Sequence, residues 1–154
     1  MANLISTITE TISLNGRERG SVNTLSIGSV TEVFHRIVTC PTGQDTTVAT
    51  FQAETNTTDG ALDLDNVKYI RVTNLDGTHP VNLSLQVAGA EGGTANMSTT
   101  ILLAAGRSFV MGSPHDGIAL DDDAEGIVTT LVDLESLLVD PSSNSVSVEV
   151  FIAC

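Results

Sequence analysis

Side chains suited to covalent or acid–base chemistry are few in this chain and lie far apart. The imidazoles are His35, His79 and His115, and the thiols are Cys40 and Cys154. Hydrolysis through a side-chain nucleophile needs that nucleophile, a base and a carboxylate to orient the base. His79 precedes Pro80 in a Gly-Thr-His-Pro turn, and His115 sits in Ser-Pro-His-Asp-Gly, also a turn. His35 falls in mid-strand beside Val33 and Ile37, where a core or interface histidine is expected. No Gly-x-Ser-x-Gly elbow occurs, and no Cys–His signature surrounds Cys40. No catalytic residue is assigned, and enzymatic activity is not expected.

Metal and ligand chemistry fare little better. Asp59, Asp63 and Asp65 cluster in DGALDLD, and Asp121, Asp122 and Asp123 precede Glu125. Oxygen-rich loops suit Ca²⁺ or Mg²⁺, but neither stretch has the EF-hand spacing, so both read as solvated turns. No His/Cys pair has the spacing of a transition-metal site. The glycines of residues 89–93 lack the lysine of a phosphate-binding loop. With no Trp, one Tyr (Tyr69) and four Phe, the chain has little to stack sugar rings on, and Tyr69 and Phe109 lie inside apolar strands. No cofactor and no metal are expected. Arg17 and Arg19 flank a hairpin-like turn, Asn15-Gly-Arg-Glu-Arg-Gly20, which reads as a solvated turn. On so acidic a chain, that small basic tip could also meet an acidic neighbour, a second copy included.

The elements that position these residues are strands. Residues 81–87 (VNLSLQV) alternate apolar and polar without a slip, the period-two signature of a half-buried strand. Residues 145–152 repeat the pattern, and residues 8–14 form a threonine-rich strand that reaches the Asn15-Gly16 turn signal. Residues 31–39 place Val33, His35 and Ile37 on one face and Phe34, Arg36 and Val38 on the other. Residues 67–73 end at Asn74-Leu-Asp76-Gly77. Weaker strands are expected over 23–27, 46–51, 98–104 and 107–111. Residues 126–139 carry Leu131, Leu134 and Leu138 at helical spacing but are rich in β-branched types. The all-β surroundings favour a strand there. The expected fold is one all-β domain over 1–154, an antiparallel sandwich of about 8–10 strands, jelly-roll-like or immunoglobulin-like.

Composition bounds the function. The 154 residues carry 6 basic and 19 acidic side chains, a formal charge of −13, which disfavours direct contact with nucleic acid or anionic membranes. No run approaches the ~20 apolar residues of a membrane span. Hydrophobic residues at 41% argue against disorder, and charged residues at 16% are sparse for a soluble domain. Neutral polar groups (20 Thr, 14 Ser and 9 Asn) must cover the surface instead. Such a surface loses fewer charges to desolvation when neighbouring copies pack on it. The first residues lack a basic, apolar leader, so a secretory signal is not expected. The sequons at Asn56, Asn82 and Asn96 then carry no glycan, and Cys40 and Cys154 are expected as free thiols.

The segments ITETISLNGRERGSVNTLSI, EVFHRIVTCPTG, VKYIRVTNLDGTHPVNLSLQV and ILLAAGRSFVMGSP resemble small structural proteins from the virion gene modules of marine tailed bacteriophages. The likeness runs over most of the chain and rests on strand and turn phrases. It implies a non-enzymatic virion component made in the host cytoplasm, most specifically a capsid decoration or cement protein that bridges capsomers. A tail or fibre module that recognises host glycans is the alternative. The expected partners are the major capsid protein or other virion proteins and further copies of the chain, with no nucleic acid and no membrane. The resemblance brings no catalytic, cofactor-binding or metal-binding residue with it.

Overall fold

Alternation of apolar and polar residues is realised strand by strand. The computed structural model describes residues 2–52, 60–87, 97–112, 119–120 and 132–154. In chain order the strands are β1 (Ala2–Thr9), β2 (Ser13–Leu14), β3 (Arg17–Glu18), β4 (Val22–Val30), β5 (Val33–Cys40), β6 (Thr46–Gln52) and β7 (Leu62–Asp63). They continue with β8 (Tyr69–Asn74), β9 (Val81–Val87), β10 (Met97–Leu103), β11 (Ser108–Gly112), β12 (Ala119–Leu120), β13 (Val132–Asp140) and β14 (Val146–Ala153). Ten of these have five residues or more, and β2, β3, β7 and β12 have two each. A 3-10 turn over Leu64–Asn66 is the one helical element among the described residues.

The strands form an all-β sandwich. One sheet runs β5-β14-β8-β11 and the other β6-β13-β9-β10. Numbered 1 to 8 along the chain, these eight strands have the orders 1-8-3-6 and 2-7-4-5. That is the connectivity of a jelly roll, in which Greek keys wind into two facing sheets. The short β7 extends the second sheet by a parallel pairing with β6, and β12 pairs antiparallel with β13.

The core lies between the sheets and follows the parity of each strand. Along β9, Val81, Leu83, Leu85 and Val87 are buried while Asn82, Ser84 and Gln86 face outward. Along β14, Val146, Val148, Val150 and Ile152 turn inward against them. Asn74 is the sole buried polar residue described, and it is fully bonded. Its Nδ2 donates to the carbonyls of His79 and Leu103 at 2.9 and 3.2 Å, and its Oδ1 accepts from the Asp76 amide at 2.9 Å. One side chain thus ties the turn after β8 to the end of β10, satisfying groups that would otherwise be buried unpaired.

The strand reading of residues 126–139 holds over β13; residues 126–131 lie outside the described residues. Its helical look has a structural cause. Register shifts between Leu134 and Ser136, and between Leu137 and Leu138, break strict alternation. Leu134, Leu137 and Val139 are therefore buried at uneven spacing. The pair β7 was not anticipated, although Leu62 and Leu64, two apart in DGALDLD, are both buried.

Candidate interaction surface

Residues 2–30 do not join either main sheet. β1 pairs only with β4, and β2 with β3, so together they make a long two-stranded hairpin. Its register is constant from Leu4↔Ile27 through Thr9↔Val22 to Leu14↔Arg17 around Asn15 and Gly16. Asn15 at φ 54° and Gly16 at φ 72° both adopt the left-handed conformation that a two-residue type I′ turn demands. The turn signal in the sequence is thus the tip of an arm.

The root of the arm is packed. Ile27 and Val30 are buried with Tyr69 and Ala153, and Leu4, Leu25 and Phe151 pack around them. Burying Ile27 fully is worth about 1.5–3 kcal/mol, enough to fix the root on the sheet. Ser6 Oγ lies 3.3 Å from Tyr69 Oη, and Leu25 reaches Gly112, where an added Cβ would come within 3.0 Å of its Cδ2. The arm therefore crosses the outer face from β14 over β8 to β11. It bends at a bulge in β4, between Ile27 and Val30. There Ser29 takes φ 57° and its carbonyl accepts from Nζ of Lys68, the only lysine of the chain, at 3.1 Å.

Beyond the root, both faces of the arm are open. Ile8, Ile12, Leu14 and Val22 are 53–66% exposed. The ladder is interrupted near Gly20, where any Cβ would collide with the Glu10 carbonyl oxygen. Glu18 bridges the gap: its Oε1 accepts from the amides of Ile12 and Gly20 at 3.1 and 3.0 Å. Those backbone donors, that of Gly20 first, hold its carboxyl below the ordinary glutamate range. Among the described residues, neither Arg17 nor Arg19 forms an ion pair.

The sheet face beside the root carries a polar network. Glu149 on β14 receives Arg71 Nη1 at 2.7 Å on one oxygen, and His35 Nε2 lies 2.7 Å from the other. Arg71 first, then His35, holds the Glu149 carboxyl below its usual range. His35 is half exposed and stacks edge-on to Phe151 at 5.7 Å. The core placement entertained for His35 is thus wrong: on edge strand β5, Val33, His35 and Ile37 face outward, while Phe34 and Val38 pack against the core.

The opposite sheet presents a shallow cavity of about 280 Å³ on its outer face. Its floor includes the outward residues Ser84 and Gln86 of β9, with Leu138 beside them. Asp45 and Asp140 stand at its rim, one step beyond the Thr46↔Val139 pair.

The remaining candidates are accounted for locally. His79 Nδ1 faces Asp76 Oδ1 at 3.2 Å, and Asn144 Nδ2 donates to its Nε2 at 2.8 Å, so His79 clamps one turn to another. Asp76 is held below the usual carboxylate range by the backbone amides of His79 and Thr78. Asp63 caps the 3-10 turn, accepting from the Asp65 amide and from Asn66 Nδ2 at 3.1 and 2.6 Å. No cluster of metal-ligating side chains occurs among the described residues. Cys40 and Cys154 are free, buried thiols, and burial pushes that of Cys154 up to about 11. His115, Asp59, residues 89–93 and residues 121–125 lie outside the described residues. Sequence reasoning found the hairpin tip but missed that the whole segment stands apart from the sandwich. No family model, curated protein or solved structure matches this chain.

Proposed function

We propose that this chain is a non-enzymatic structural protein of a bacteriophage virion, a head decoration or cement protein that associates with further copies of itself and with capsid protein. The observation that carries the reading is the pairing of a closed sandwich with a projecting, partly apolar hairpin. A hairpin open on both faces is only marginally stable alone, so its use lies in what it packs against. The resemblance of the strand and turn phrases to phage virion proteins supplies the setting. Jelly rolls serve in viral capsids, but also in lectins and cupins, so the fold by itself is no more than an analogy.

Mechanistically, such a protein stabilises a shell by burying surface on several neighbours at once. Each contact is modest after the costs of association, and engaging more than one multiplies the affinity. Sparse charge on the strand faces lowers the desolvation cost of each contact. The net charge of −13 repels packaged DNA and leaves the protein to the capsid surface.

Quantitative mass spectrometry of purified particles tests the reading. Hundreds of copies per particle are expected; absence from the particle would overturn it. The polar cavity over Ser84 and Gln86 favours one second reading, a tail or fibre module that binds host glycans. A few to tens of copies per particle, with clear hits on a glycan array, would select that alternative.

A further inference from the structure

The distribution of charge between arm and body has a direct implication for assembly. The hairpin balances Arg17 and Arg19 against Glu10 and Glu18, so the whole formal charge of −13 belongs to the rest of the chain. Within the hairpin the two acids are already engaged. Glu18 is tied to the Ile12 and Gly20 amides, and Glu10 accepts from Ser21 Oγ at 2.5 Å. The two arginines are left to present the charge of the tip, next to Ile12 and Leu14, which are more than half exposed. A tip of this kind, two cations beside two apolar side chains, fits a surface with two carboxylates beside apolar groups.

The body carries such a surface. Asp45 and Asp140 stand together at the rim of the outer cavity of the second sheet, with Leu138 lining it. Leu102, 67% exposed, lies in the same cross-sheet row as Asp140, joined through Asn82. Both aspartates line the same cavity, and a guanidinium brought to either carboxylate would form charge-assisted hydrogen bonds. Arg17 and Arg19, two residues apart and opposite Leu14 and Ile12 in the hairpin register, supply two such groups on one face of the tip. The arm leaves its own chain over β11, on the opposite sheet from this cavity, so the geometry directs it to a different molecule.

We infer that the hairpin of residues 2–30 is an exchange arm: its tip docks on the Asp45–Asp140 cavity of a second copy of this chain. The inference rests on the self-association part of the proposed function and names the surfaces that perform it. Arm residues Ile12 and Leu14 cover Leu138 and Leu102 of the second copy, while Arg17 and Arg19 meet its two aspartates. Association then depends on ionic strength, because the contact is partly charge-driven.

The test is a charge exchange in the purified full chain, read by analytical ultracentrifugation. The natural chain is expected to self-associate reversibly, and more weakly as salt rises. Both the double variant R17E/R19E and the double variant D45K/D140K should lose at least about tenfold in self-affinity. Mixed together they should bind each other, since each acidic arm then meets a basic cavity and each basic arm an acidic one. Arg17, Arg19 and Asp45 are exposed and Asp140 is half-buried, and circular dichroism verifies that each variant retains its strands. A natural chain that stays monomeric at every concentration would overturn the inference. So would self-association that neither variant weakens, or two weakened variants that fail to bind each other. None of these results touches the copy number in particles, so the arm can fail while the virion reading stands, and the reverse.

Discussion

The sandwich and the arm are built from the same kind of sequence and come to different ends. Residues 81–87 alternate apolar and polar, and along residues 8–14 of the arm Ile8, Ile12 and Leu14 share one face while Thr9, Thr11 and Ser13 take the other. In β9 every second residue is nearly solvent-free, because β14 and its neighbours lie opposite. In the distal part of the arm nothing lies opposite, and Ile8 stays 53% exposed. Alternation therefore specifies a strand and its two faces, but burial needs a second layer. The body has that layer within one chain; the arm must take it from another.

Truncation of matched side chains should break the two regions apart most sharply. Leu83→Ala or Leu137→Ala removes a fully buried side chain and should cost about 2–5 kcal/mol in denaturant unfolding. Ile8→Ala or Leu14→Ala should change the stability of the dilute protein by less than about 0.5 kcal/mol. Equal losses in both regions would mean that the arm is packed as the body is.

Asn74→Ala should rank next, at about 2–4 kcal/mol, because it strands the buried carbonyls of His79 and Leu103 as well as removing their donor. The same experiment separates polar bracing of the sandwich from its apolar packing. Gly20→Ala makes the converse test within the arm. Its Cβ collides with the Glu10 carbonyl, so amide exchange in residues 7–24 should accelerate while the melting of the body stays put.

Acid should act on the two regions in different ways. The carboxyls of Glu149 and Asp76 are held below their ordinary range in the folded body. A lowered folded-state value gives stability that is present above the unfolded value and is lost as pH falls through the folded one. The body should weaken below about pH 4, and Glu149→Gln should flatten that limb. Glu18 is lowered too, but its protonation frees two amides of the arm alone and should leave the body's unfolding midpoint unchanged. The smallest effect expected is salt: raising it from about 20 to about 200 mM should lift the melting temperature modestly by screening the acidic surface.

Much of the sandwich was legible because its strands obey local rules. Residues 81–87 match β9 end to end, and residues 31–39 and 145–152 differ from β5 and β14 by one or two residues. What escaped was set by long-range partners. β7 exists because Phe51 and Gln52 pair with Leu62 and Asp63 in parallel, and two-residue strands leave no periodic trace. The outward turn of His35 depends on β5 being a sheet edge with the arm covering only part of the face. Sequence parity gave the two faces of β5 correctly but not which was inner. The charge asymmetry was present in the sequence throughout, in the neutrality of residues 2–30. It acquired meaning only once that segment was seen to stand away from the sandwich.

The most direct test of the division between body and arm is amide hydrogen exchange read as a function of protein concentration. This division predicts that protection in β9, β13 and β14 is high and constant. It also predicts that protection in residues 7–24 is low in dilute protein and rises as copies associate. Protection of residues 7–24 that is as high as that of the body, at every concentration, would contradict it.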